Sequence, residues 1–161
     1  MIELQPKPKK LKSHSFKKSW LIPHTDKECW NILNKMETFT ESQVFPYKVE
    51  FIDKNKPPSF NQGVWTNHHG PLLNLCGQIG KMIKYSYRDL NYSYGSYVVS
   101  FRLIRPTRLQ FFLEKKNNET IVTVQLDSYV SAWLQKTWSL FQAIFWANFG
   151  KSISKKIKQE K

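Results

Sequence analysis

Apolar and polar residues alternate along most of this chain and then, near residue 131, change period. From Ser13 to Ile22, His14, Phe16, Trp20 and Ile22 fall on one side and Ser15, Lys17 and Ser19 on the other, the period of two expected of a half-buried strand. Pro23 ends it. Thr25-Asp-Lys-Glu28 then reads as a capping box, in which the Thr25 hydroxyl accepts from the Glu28 backbone N–H while the Glu28 carboxylate reaches back. A helix is therefore predicted from Asp26, with Cys29, Trp30, Leu33 and Met36 on its apolar face and its end near Phe39; a short turn or helix over 41–45 leads to Pro46. Six further alternating segments follow with no helix-length gap: 47–51, 64–69, 82–92, 97–103, 107–115 and 119–130. The residues between 54 and 61, with Pro57 and Pro58, read as a loop, and Asn117-Asn118 as the tight turn of a hairpin. From Ser131 onward Leu134, Trp138, Phe141, Phe145, Phe149, Ile153 and Ile157 recur at steps of four and three, one stripe on a helix of about 27 residues, roughly 40 Å long. Gly150 interrupts that helix at a cost of about 1 kcal/mol relative to alanine and marks a bend or a frayed turn.

Composition narrows the class. The 161 residues suit one domain, and 24 aromatics (6 Trp, 7 Tyr, 11 Phe) supply a core without disulfide or metal staples. We read 13–158 as the folded part, 1–12 as a disordered basic Lys/Pro arm and 159–161 as a tail. Cys29 and Cys76 have no partner at metal-ligand or redox spacing, so free thiols in a reducing, cytoplasmic setting are expected, with no metal and no cofactor. No secretory or membrane-spanning segment is predicted. The net charge of +13 is concentrated at the ends: six lysines against Glu3 in residues 1–20, and five against Glu160 in residues 151–161. Lysine-rich ends around a mildly basic body suit solubilising tails or contact with an anionic membrane better than a nucleic-acid surface.

The element order of one strand, one or two short helices, six antiparallel strands and a long C-terminal helix resembles the START-like (SRPBCC) superfamily, which includes polyketide cyclase/dehydrase, lipid-transport and birch-pollen-allergen proteins. Local echoes lie in Ile22-Pro-His-Thr-Asp-Lys-Glu-Cys-Trp-Asn-Ile-Leu33, in Lys116-Asn-Asn-Glu-Thr-Ile-Val-Thr-Val124 and in 149–158. The resemblance covers residues 13–158 and implies an α+β helix-grip fold, a seven-stranded curved antiparallel sheet wrapped around the long C-terminal helix. It further implies an apolar cavity between sheet and helix for a lipid, sterol-like or aromatic molecule.

That cavity would be lined by Tyr85, Tyr87, Phe101, Leu103, Phe111, Trp138, Phe141 and Phe145. The two tyrosines are the stronger candidates, because a buried phenol needs a hydrogen-bond partner and can offer one to a ligand. His68 is a candidate polar group of the cavity. His68 and His69 alternate on a strand, so they point to opposite faces and cannot share a metal. Leu72, Leu73, Leu75 and Ile79 lie in a glycine-punctuated connector, 70–80, that reads as a lid or as a loop packed on the core. No catalytic residue is assigned; nucleophile-elbow, Walker, zincin and dinucleotide motifs are missing from the sequence. Three functions compete: a non-enzymatic binder or carrier of a small hydrophobic molecule, which the pattern favours; a cyclase- or dehydrase-like enzyme using His68, Tyr85 or Tyr87; and a basic RNA-associated protein. Oligomeric state is not legible.

Overall fold

The chain runs through β1 (Lys12–Ile22), α1 (Asp26–Leu33), α2 (Met36–Thr40), β2 (Lys48–Ile52), β3 (Trp65–Gly70), β4 (Leu73–Ile83), β5 (Tyr87–Ser96), β6 (Ile104–Lys116), β7 (Glu119–Val130), a 3-10 turn (Ala132–Leu134), α3 (Gln135–Phe145) and α4 (Phe149–Gln159). This is a computed structural model that describes residues 5–40, 48–52, 60–70, 73–96 and 103–161. The predicted turn at 41–45, and the loop as far as residue 59, lie outside them. The seven strands form one curved antiparallel sheet in the order β1-β7-β6-β5-β4-β3-β2, so the first strand of the chain pairs with the last. With the short helices after β1 and the C-terminal helices, this is the helix-grip architecture.

Alternation along the strands sets the two faces. Phe16, Trp20 and Ile22 of β1 stand opposite Leu126, Val122 and Thr120 of β7 and point inward, while Ser15, Lys17 and Ser19 point out. Phe111, Leu113, Val122 and Val124 continue the inner face and are buried. Alpha-helix α1 starts at the predicted capping box: Glu28 N–H donates to Thr25 Oγ1 at 3.3 Å and Thr25 N–H to Glu28 Oε2 at 2.8 Å. Its buried Cys29, Trp30, Ile32 and Leu33 pack into the core, and burial pushes the Cys29 thiol up to about 11. Asn117 takes φ 55° in the β6–β7 turn, the left-handed conformation that an Asn-Asn pair permits.

Seven strands were expected, but they are not the same seven. Residues 73–83, read as a connector or lid, form β4, whose Leu75 and Ile79 are buried. Leu72 lies outside the described residues, and Leu73 begins the strand. The predicted strand 82–92 is cut by a turn at 84–86, closed by Ser86 N–H donating to Ile83 O at 3.1 Å, with Tyr85 at φ 64°. The predicted strand 97–103 lies outside the described residues up to 102, and Leu103 stands in a turn before β6. The basic arm is held in place from residue 5. Leu11 is buried, and the Gln5 side-chain amide donates to Tyr92 O at 2.8 Å and Pro106 O at 3.5 Å. The register between β5 and β6 runs from Tyr87–Phe112 to Asn91–Arg108, so the amide joins the two strands just past the end of their ladder. The chain's end is tied down too: Lys35 pairs with Glu160, and Lys161 with Glu28 at 2.8 Å.

The single 27-residue helix is two helices, α3 and α4, separated at 146–148. Their inward stripe differs in phase from the predicted one. Gln142, Trp146, Gly150, Ile153 and Ile157 face the sheet and are buried, at steps of four, four, three and four, while Phe141 and Phe145 face out, at 62% and 42% exposure. Gly150 stands in the first turn of α4, just past the break. It lies against Trp20, where an added Cβ would meet Trp20 Cγ at 2.6 Å. Replacing Gly150 by Ala gains about 1 kcal/mol of helix propensity, but forces the helix off the sheet at an overpacking cost of about 1–3 kcal/mol. We expect the Gly150→Ala protein to be less stable in urea denaturation, although alanine is the better helix former.

Candidate functional site

The inner face divides into two regions. Along β1, β7 and β6 the space under α4 is filled by rings in contact: Trp20 with Phe149 at 5.5 Å between centroids, Phe149 with Phe111 at 5.7 Å, and Phe111 with Trp146 at 6.2 Å. Along β3, β4 and β5 the wall is more polar. Thr66 and His68 of β3, Leu75 and Ile79 of β4, and Arg88, Leu90 and Tyr92 of β5 share this face, as the register and alternation require. His68 packs edge-on against Tyr92 with centroids 5.5 Å apart, and its Nε2 lies 3.3 Å from Thr66 Oγ1. Burial, with a smaller contribution from His69, drives the His68 pKa down to about 4, so the ring is neutral at pH 7. His69 points to the other face and meets Glu50 at 3.2 Å.

Arg88 is the one charged residue buried in this wall among the described residues, 4% exposed. Its guanidinium carbon is 4.7 Å from the Phe39 ring centroid, 4.6 Å from that of Phe60 and 4.4 Å from that of Phe111. Its Nε has no hydrogen-bond partner, and among the described residues no carboxylate pairs with it. Burial lowers its pKa to about 9, which still leaves it charged at neutral pH.

Of the predicted lining residues, Phe111 faces inward and is 1% exposed. Trp138 is partly buried, and its indole N–H donates to Ser128 Oγ at 3.4 Å. Leu103 is partly buried and its carbonyl accepts from Ser131 N–H. Phe101 lies outside the described residues. Phe141 and Phe145 stand on the outer side of α3, and Tyr85 lies in the β4–β5 turn against Trp30 and Lys84 rather than along a strand. Tyr87 is on the outer face of the sheet. The break in register between Ile79 and Met82 of β4 puts the even-numbered residues of β5 inside, so that Arg88, Leu90 and Tyr92 face in and Tyr87 faces out, while Tyr85 packs against the core from the turn. Leu90 and Tyr92 share the parity of Arg88, and their alternation with Asp89 and Asn91 is the sequence signal that fits this face.

The outer face carries its own polar cluster. The Tyr87 hydroxyl donates to Asp89 Oδ2 at 2.8 Å, Arg108 Nε donates to the same oxygen at 3.0 Å, and Asn91 Nδ2 donates to Asp89 Oδ1 at 3.3 Å. Asp89 is 1% exposed because Gly80 leaves room for it: a Cβ there would meet Asp89 Oδ1 at 2.2 Å. Burial and the bond to Asp89 push the Tyr87 pKa up. With Gln110 and Asp127 joining the same network, this cluster satisfies itself and reads as structure.

Beneath α3 the contacts are polar as well. His14 Nε2 lies 2.8 Å from Ser139 Oγ, Lys18 Nζ donates to Ala143 O at 3.0 Å, and the buried Gln142 accepts from the Trp146 indole at 3.1 Å. The apolar side of α3 is turned to solvent, with Leu140, Phe141, Ile144 and Phe145 exposed and Trp133 beside them. A separate surface cleft of about 430 Å³ lies between α2 and the end of α4, lined by Lys35, Glu37, Thr38, Lys156 and Glu160. Among the described residues no group of three or more His, Cys, Asp or Glu side chains could hold a metal, and no helix is long and apolar enough to cross a membrane.

No family model matches the chain, and neither does any curated protein. Solved structures do match. Norcoclaurine synthase from Thalictrum flavum, determined in complex with dopamine and hydroxybenzaldehyde, is 10% identical, with a TM-score of 0.69 over 100% of this chain and 98% of that one. Protein MLL2253 from Mesorhizobium loti is 11% identical, with a TM-score of 0.67 over 92% and 99% of the two chains. The protein Ara h 8.0201 is 12% identical, with a TM-score of 0.63 over 92% and 99%. At these identities the likeness is one of fold, the helix grip.

The half-buried His68 ties stability to pH. His68 titrates near 4 in the folded chain and near 6.5 when unfolded, so between those values the unfolded chain binds the extra proton. Stability should fall as pH drops from 6.5 towards 4 and level off below, by about 3 kcal/mol in all. Denaturant titrations at several pH values should show that increment lost in the His68→Gln protein relative to the parent.

Proposed function

We propose that the protein binds or carries a small hydrophobic molecule on the inner face of its sheet, and does so at an anionic membrane surface. The observation that carries this reading is the inverted α3: a helix over the sheet with its polar side inward and Leu140, Phe141, Ile144 and Phe145 in water. Exposed apolar surface of this kind, contiguous and aromatic, suits an interfacial helix whose apolar side enters the headgroup and acyl boundary. Charge favours the same partner. Between Gln135 and Lys161 the chain holds six lysines against the single acid Glu160, and each lysine near an anionic membrane contributes about 1 kcal/mol. An aqueous carrier needs such a contact to collect and release cargo that does not dissolve in water.

A second reading, a cyclase- or dehydrase-like enzyme, rests on His68, an imidazole on the inner face beside Tyr92 that is neutral at pH 7. Turnover of an aromatic aldehyde and amine pair, abolished in His68→Gln, would support that reading. Retention of an unaltered molecule, recovered by solvent extraction and seen as a stoichiometric adduct in native mass spectrometry, supports carriage.

The membrane half is tested by co-sedimentation. The protein should sediment with vesicles containing phosphatidylglycerol and stay in solution with pure phosphatidylcholine. Replacing Phe141 and Ile144 together by Ser should weaken binding at least tenfold, given about 1.5–3 kcal/mol for each large side chain buried. Sedimentation that ignores lipid charge, or that survives the double substitution, would refute this docking.

A further inference from the structure

Arg88 is an expensive residue for the place it occupies. A guanidinium taken from water into an apolar interior loses its hydration, and a buried charge normally recovers that loss through a paired carboxylate or a full set of hydrogen bonds. Here three phenylalanine faces supply electrostatic attraction, but rings of this kind leave the Nε without an acceptor. The acid next in sequence, Asp89, points to the opposite face and is taken by Arg108 and Tyr87. If packing were the sole demand, a leucine or methionine would fill the position at lower cost.

The neighbours of Arg88 bear on what it could hold. Tyr92, two pleats along the same strand and on the same face, is close enough for its phenol and the guanidinium to shift each other's proton affinity. His68 lies against Tyr92 and is neutral at pH 7. The wall thus presents one positive charge, a phenol and an imidazole within an otherwise apolar lining. Two of the three rings over Arg88 stand outside the strands: Phe39 is at the end of α2 and Phe60 lies between β2 and β3, stacked on each other and resting on Phe111 of β6 and Phe51 of β2. A group entering between them breaks ring contacts only.

We propose that Arg88 is the counter-charge for the carboxylate of an amphipathic monoanion, bound on the β3–β5 wall with its acid group between Phe39 and Phe60 and its apolar part along Leu75, Ile79 and Leu90. This rests on the reading that the inner face takes a hydrophobic molecule, and it adds the class: an acid, singly charged. The planar fork of the guanidinium matches a carboxylate in two parallel hydrogen bonds. One fixed positive charge is balanced by a monoanion, whereas a dianionic phosphate would leave a buried negative charge uncompensated.

The test compares laurate with its methyl ester, equal in apolar length and different in charge, by titration calorimetry on the full chain. Laurate should bind the unaltered protein at least tenfold more tightly than methyl laurate. Arg88→Met should remove that preference and leave the ester's affinity within about twofold, and Arg88→Lys should restore part of it. Equal binding of acid and ester by the unaltered protein would overturn the proposal while leaving the hydrophobic-binding reading intact, as would a preference that survives in Arg88→Met. Binding of neither probe would defeat both. The comparison on the unaltered protein decides the matter even if Arg88→Met does not fold.

Discussion

The contact on which the C-terminal half of this structure depends is between a hydrogen atom and an indole. Gly150 places its Cα against Trp20 because it has no side chain to keep the two apart. A helix packed on a sheet can be rotated about its own axis, and many rotations of an apolar helix bury similar area. The close approach at Gly150 selects one. Once that turn faces the sheet, the 3.6-residue period places Ile153 and Ile157 of α4 inward. Across the break at 146–148, Trp146 and Gln142 also face in, and Phe141, Ile144 and Phe145 face outward. The orientation of α3 is held by its own polar contacts with the sheet.

The orientation of α3 also accounts for the polar layer beneath it. Gln142, Ser139 and His14 would be poor choices for a protein interior taken one at a time, yet each has a partner there: the Trp146 indole for Gln142, and each other for His14 and Ser139. Lys18, on the inner parity of β1, reaches the Ala143 carbonyl in the same layer. At the other end of the sheet the aromatic content of the chain is spent differently. Phe39, Phe60 and Phe111 surround a cation instead of one another's edges alone, so this part of the interior is apolar in composition and charged at its centre.

The architecture was legible in the sequence because strand alternation, the Thr25–Glu28 capping box and the Asn117-Asn118 turn are local signals, and local signals survive folding. What misled were places where two patterns coexist in the same residues. Residues 134–157 contain two stripes of helical period that share Ile153 and Ile157, and hydrophobicity favours the one with more aromatics. The structure uses the one containing Gly150 and Gln142, a choice that depends on Trp20, some 130 residues away in sequence. Likewise Tyr85 and Tyr87 alternate with charged residues as a strand should, but a register break between Ile79 and Met82 puts the odd-numbered residues of β5 outside, and the turn built on Tyr85 at positive φ carries no glycine or asparagine to announce it. The candidate site shifted for that reason from the tyrosines to Arg88 and Tyr92. Glycine-rich 70–80 looked like a loop by composition, whereas Gly80 is in a strand because Asp89 occupies the space its side chain would need.

The pairing of β1 with β7 has a consequence for how the protein is made. Every backbone partner of β1 in the sheet belongs to residues 120–130, and the acceptors of Gln5 belong to Tyr92 and Pro106. The first strand to leave the ribosome therefore waits for the last. Until β7 has emerged, Phe16, Trp20 and Ile22 have no sheet to join, and the loop-closure entropy of nearly a hundred residues must be met before their ladder gains its first bond. Beta-hairpins such as β6–β7 form early and locally, but the grip itself closes late, and a nascent chain carrying an apolar N-terminal strand in the open is the species that chaperones meet.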